Sequence, residues 1–192
     1  MQKIRVFILA MALLLLNTCN AYCYDDGFAT VRAINGKYFS IFCSPQVDLS
    51  DLYQKLKISA SDQMLVGKLN NSSGSPDARL ADALDTLFLR ASDILDMHLY
   101  SYHGTIKICR DKEQLDKIYS NLFPGSKLNA DSFYVHDLNT IYISSEAFNR
   151  GVLGHEITHV ITTHYFVVQP PVKVAEILSG YVEYQLRKTS AK

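Results

Sequence analysis

Apolar residues recur at three- and four-residue steps from Leu80 through Leu84, Leu87, Phe88, Ala91, Ile94 and Leu95 to Leu99. That is the period of a helix with one buried side. Ser75-Pro76-Asp77 is a good helix start, so a helix is predicted from Pro76 to about His98, long enough to cover a sheet face. Leu49, Leu52, Tyr53 and Leu56 predict a shorter helix to about Lys57, capped by Asp48 or Ser50, and Leu115, Ile118 and Tyr119 predict another over 112–122. Strand-like runs occupy 37–43 and 105–109. Ser132 to His136 and Thr140 to Ser144 flank the polar Asp137-Leu138-Asn139 and read as a hairpin. Two more helices are expected, from Glu146 to about Tyr165 and from Val172 to Arg187, with Pro170-Pro171 between them. Residues 24–36 read as polar and irregular, 59–67 as helix or loop, and 70–76 as a loop within the domain. Helices interspersed with an antiparallel hairpin give an α+β class.

The chemistry is concentrated in Val152-Leu153-Gly154-His155-Glu156-Ile157-Thr158-His159-Val160-Ile161. On a helix, His155 and His159 stand one turn apart on one face, so both imidazoles can reach a single ion. Glu156 points beside the pair, where it can hold a water on that ion and take its proton. Two imidazoles and a carboxylate are costly to bury on an otherwise apolar helix without a purpose.

A catalytic zinc site wants three protein ligands. Glu176 lies 17 residues after His159, beyond a Pro-Pro turn, and a returning helix can bring it back over the histidines. Glu183, two turns further along roughly the same face, is the alternative ligand. His164 does not fit a metzincin pattern, because Thr162 stands where glycine is needed and Tyr165 where histidine is needed.

With His155-Glu156-x-x-His159 and the segment Pro171 to Tyr181, the chain resembles the gluzincin metallopeptidases, in particular peptidase MA-like domains. Pro171, Glu176 and Tyr181 match the family's Pro-x-Trp-Leu-x-Glu-Gly-x-Ala-x-Tyr-like segment, and Val174 replaces its leucine. Lys173, Ile177 and Ser179 depart from its tryptophan, glycine and alanine. Gly180 stands where many members carry an aspartate bonded to a histidine ligand, which leaves Ser179 or a backbone carbonyl to support that histidine. The resemblance covers about residues 130–185. It implies a zincin-like domain with a small, mainly antiparallel sheet, an active-site helix, and a C-terminal helix carrying the third ligand. It further implies Zn²⁺ on His155, His159 and Glu176, with Glu156 as general base, and a peptide or protein substrate.

Composition narrows the partners. The 192-residue chain suits one domain, with 48% hydrophobic residues and 19 basic against 19 acidic side chains. No basic stripe suggests nucleic acid. Lys3 and Arg5 followed by the apolar run Val6 to Leu16 read as a signal peptide over 1–23, cleaved after Ala21 or Cys23. The domain then occupies 24–192 of a secreted or periplasmic protein with no stable membrane span, an uncleaved anchor being the alternative. A lipoprotein anchored at Cys19 lacks a good small-residue box. Cleavage after Cys23 leaves Cys43 and Cys109, either joined in one disulfide or buried as two free thiols.

Several side chains carry a plain reading beside a functional one. Tyr181 reads as oxyanion donor or core residue. His98 and His103 read as a second metal site or isolated histidines, and Thr140 to Ser144 as a peptide-binding edge strand or a plain hairpin strand. The leading function is an exported zinc metallopeptidase. The alternatives are a non-catalytic, zinc-stabilised binding module and a metal-free, disulfide-stapled interaction domain.

Overall fold

The computed structural model describes residues 26–29, 32–59, 62 and 74–189. The expected signal peptide therefore lies outside the described residues, as do 60, 61 and 63–73 from the ambiguous stretch and the loop after it. In chain order the elements are β1 (Arg32–Asn35), β2 (Phe39–Cys43), α1 (Leu49–Leu56), α2 (Pro76–Leu95), β3 (Gly104–Cys109), α3 (Lys112–Leu122), β4 (Ser132–Val135), β5 (Thr140–Ser144), α4 (Arg150–Tyr165) and α5 (Val172–Thr189). Five helices and five strands make one small α+β domain among the described residues.

The sheet has the order β1-β2-β3-β5-β4 and is mixed, which corrects the expected mainly antiparallel sheet. β2, β3 and β5 run parallel in the centre, and β1 and β4 flank them antiparallel. Parallel neighbours need crossovers, which α1 with α2 supplies between β2 and β3, and α3 with β4 between β3 and β5. β1 falls in the stretch expected to be irregular. Only Ile34 of its four residues is buried, so it carries no alternation to read. Asp85 of α2 pins the turn after it, accepting from the backbone N–H of Lys37 (2.7 Å) and Tyr38 (2.9 Å). β5 is buried along its whole length and lies inside the sheet, so the free edge beside the hairpin is β4 and not Thr140–Ser144.

The two sheet faces carry separate cores. Phe39, Ile41, Ile106, Ile108, Ile141 and Ile143 face α1, α2 and α4, while Cys109 and Tyr142 face Leu115 and Ile118 of α3. This separation excludes the Cys43–Cys109 disulfide. Cys43 stands opposite Ile108 in the register, so Cys109 points to the other face. Both are buried free thiols, each pushed up to about 12 by burial.

One buried ion pair ties the start of α4 to the segment after α1. Arg150 donates to Asp62 through Nη1 (2.8 Å to Oδ2) and Nη2 (3.3 Å to Oδ1), and Nη1 also reaches the Lys57 carbonyl (3.3 Å). Burial pushes the Asp62 carboxyl up. Hydrogen bonds from Arg150 and Ser59 outweigh that and hold it below the usual aspartate value. An aspartate depressed in the folded state stabilises above its unfolded pKa, and loses that contribution as pH falls through the lower folded value. Asp62→Ala, which strands a buried guanidinium, is expected to cost about 3–5 kcal/mol in urea unfolding at neutral pH. The wild type should lose more of its stability than Asp62→Asn does as pH drops below about 3.9.

Candidate metal centre

Asn149 starts α4 by accepting from the N–H groups of Gly151 (3.0 Å) and Val152 (3.1 Å). Leu153, Ile157, Val160 and Ile161 then bury one side of the helix, which leaves His155 and His159 on the side where α5 returns. The return is antiparallel and close, and the glycines of α4 permit it. A Cβ at Gly154 would overlap the buried Leu186 of α5, and one at Gly151 would stand 2.6 Å from Arg187 Nε. Ile177 points to solvent, and the small residues of this contact come from α4. Gly154→Ala is expected to lower stability by about 1–2 kcal/mol. Overpacking against Leu186 outweighs the helix-propensity gain of about 1 kcal/mol, and thermal unfolding measures the balance.

The close approach brings three side chains to one point. His155 Nε2 and His159 Nε2 lie 3.2 Å apart, His155 Nε2 is 3.5 Å from Glu176 Oε2, and His159 Nε2 is 3.5 Å from Glu176 Oε1. A tetrahedral ion bound at about 2.0–2.1 Å requires ligand atoms about 3.3–3.4 Å from one another, and the three side chains come near that spacing and could hold a metal ion. Protons on both facing nitrogens would repel. Burial and the neighbouring His155 hold His159 below the usual histidine value, against the pull of Glu176. Among the described residues this is the one group of three or more His, Cys, Asp or Glu that converges within metal-binding distance.

Glu183 stands behind His155 and outside the triangle. Its Oε2 is 3.2 Å from His155 Nδ1, while its Oε1 accepts from Arg187 Nε (2.9 Å) and Nη2 (2.7 Å). A carboxylate on Nδ1 keeps that proton in place and leaves the Nε2 lone pair aimed at the centre of the triangle. Glu183 thus stands at the back of His155, where the sequence offered Ser179 or a carbonyl. Ser179 is buried with its hydroxyl unpaired.

Glu156 is 6% exposed, and its Oε1 accepts from Ser132 Oγ of β4 at 2.7 Å. Burial pushes its carboxyl up to about 6, opposed by the Ser132 hydrogen bond and His155, and assisted by Glu176 and Glu183. A carboxyl poised near neutral pH suits proton exchange.

The remaining candidates lie apart. His164 faces the hairpin, 3.1 Å from Tyr134 Oη and 3.2 Å from Asn139 Oδ1. His103 bonds Ser40 Oγ and the Lys37 carbonyl, both at 3.0 Å, and His98 lies 3.7 Å from Asp96. Tyr181 is 49% exposed and belongs to no core. Ser132, Arg187 and the supporting role of Glu183 escaped the sequence reading. The Gly151-x-x-Gly154 spacing was the one available signal, since paired glycines inside a helix mark a close neighbour.

Comparison with protein-family models, curated proteins and solved structures finds no match to this chain.

Proposed function

We propose that the chain is an exported zinc-dependent metallopeptidase of gluzincin type, built on a zincin-like domain. The observation that carries the reading is the convergence of His155, His159 and Glu176, with the two Nε2 atoms 3.2 Å apart and each 3.5 Å from a different Glu176 oxygen, beside the poised carboxyl of Glu156. Zinc, when bound there, would supply Lewis acidity that polarises a carbonyl and acidifies water. Glu156 then takes a proton from water and delivers it to the departing amine. Ser132 holds one oxygen of Glu156 and leaves the other for this work. Glu183, backed by Arg187, keeps His155 in the tautomer that can ligate.

The edge of β4 carries no further strand among the described residues, and Ser132 places that edge next to Glu156. An extended peptide adding to β4 by main-chain hydrogen bonds would lie across the front of the centre.

A second reading, a zinc-stabilised binding module without catalysis, is favoured by the burial of Glu156 and its engagement with Ser132. Incubation of the zinc-loaded protein with a broad peptide library separates the two. Cleavage that disappears on chelation and returns with zinc supports the peptidase. Stoichiometric zinc with no cleavage of any peptide supports the module.

A further inference from the structure

Ten large apolar side chains stand exposed among the described residues, and eight of them fall between Tyr165 and Tyr184. The run Tyr165-Phe166-Val167-Val168-Gln169-Pro170-Pro171-Val172 joins α4 to α5 without a charge. Val167 and Val168 at its bend are 102% and 82% exposed. Along α5, Val174, Ile177, Tyr181 and Tyr184 follow at steps of three, four and three, which places them on one outward side. The opposite side, with Ser179, Val182 and Leu186, is buried. Monomeric domains seldom leave so continuous an apolar stripe uncovered.

The charges around the stripe indicate what covers it. Lys173 and Lys188 each lie four residues beyond Ile177 and Tyr184, and so extend the same side at both ends. Glu176 and Glu183 are the acidic residues of the segment from Tyr165 to Thr189, and both reach toward the histidines, Glu176 with its side chain half exposed. Arg187 is neutralised by Glu183. The outward side is therefore apolar and tyrosine-rich, with lysines at its ends and no acid. With a lysine at each end and no acid, this side is attracted to an anionic surface by about 1 kcal/mol per lysine. Tyrosines and lysines bordering an apolar strip are the pattern of a helix lying in a lipid headgroup region. Among the described residues no helix is long and apolar enough to cross a membrane, so contact there would be with the surface.

We propose that Val167, Val168 and the outward side of α5 dock on the surface of an anionic lipid bilayer. Docking would hold the His155–His159–Glu176 centre, about a third of a turn round α5, close to the bilayer. The inference does not depend on zinc or on hydrolysis.

The chain contains no tryptophan, so one introduced indole reports its own site alone. The test uses the full chain carrying Val168→Trp, titrated with vesicles of phosphatidylglycerol and phosphatidylcholine, and with vesicles of phosphatidylcholine alone. The expected result is a blue-shifted emission, quenched by brominated lipid, with the anionic vesicles and not with the neutral ones, and reversed by salt. Lys173→Gln and Lys188→Gln should each weaken that partitioning roughly fivefold. A reporter at Phe123, which is exposed at the end of α3 on the other face of the sheet, should keep its emission unchanged with both. Emission from Val168→Trp that ignores anionic vesicles overturns the proposal. So does a blue shift without vesicles that grows with protein concentration, which would mean a second copy covers the stripe.

Discussion

Glu156→Gln is expected to bind zinc as the wild type does and to hydrolyse peptides about a hundred- to ten-thousand-fold more slowly, the range lost with a general base. The amide keeps the shape of the side chain, and its carbonyl still accepts from Ser132 Oγ, so the α4–β4 contact survives. It cannot take a proton, and only the proton-transfer part of the reaction is removed. The Ser132 hydrogen bond helps to keep Glu156 ionised against its burial, so Ser132→Ala should move the acid limb of the pH–rate profile to higher pH. A Glu156→Gln variant as active as the wild type would remove Glu156 from the chemistry. Both being inactive, with one zinc per chain, would leave the binding-module reading.

Glu176→Ala and Glu183→Ala are expected to part by their effect on zinc affinity. Structural zinc sites bind with about 10–16 kcal/mol, so one of a few ligands accounts for roughly 3–4 kcal/mol. Glu176→Ala should therefore weaken zinc binding roughly a hundred- to thousand-fold. Glu183 touches His155 Nδ1 and not the centre of the triangle, and loss of such an orienting partner costs about ten- to a hundred-fold. Arg187→Ala, which removes the support behind Glu183, should fall nearer the wild type than either. Competition against a fluorescent zinc chelator measures all three. A larger loss for Glu183→Ala than for Glu176→Ala would exchange the two roles.

The parts of this architecture legible in the sequence are those set by local spacing. The histidines four apart, the helix periods, the Asp48 and Ser75 starts and the β4–β5 turn all follow from neighbours within a few residues, whereas α4 starts after Asn149 and not at the expected Glu146. Glu176 was reachable because only a Pro-Pro turn and one helix turn intervene before it. The mixed sheet was not legible. Which of β2, β3 and β5 lie side by side depends on crossovers of tens of residues, and continuous burial in β5 looks the same in a buried helix segment. The choice between a disulfide and two buried thiols stayed open for the same reason. Both sit in neighbouring strands, but a one-residue offset in register sends them to opposite faces. Ser132 reaches Glu156 only because the hairpin folds over α4, a contact across 24 residues with no motif of its own. Glu183 was in view as a ligand. Two turns beyond Glu176 it meets the back of His155 instead, and the antiparallel slope of α5 on α4 decides that.

The most direct measurement is X-ray absorption at the zinc edge on the protein loaded with one equivalent of zinc. The account predicts a first shell of light atoms at about 2.0–2.1 Å with the outer-shell pattern of two imidazoles, reduced to the pattern of one imidazole in His159→Ala. A sulfur shell at about 2.3 Å, or a light-atom shell without imidazole scattering, would contradict it.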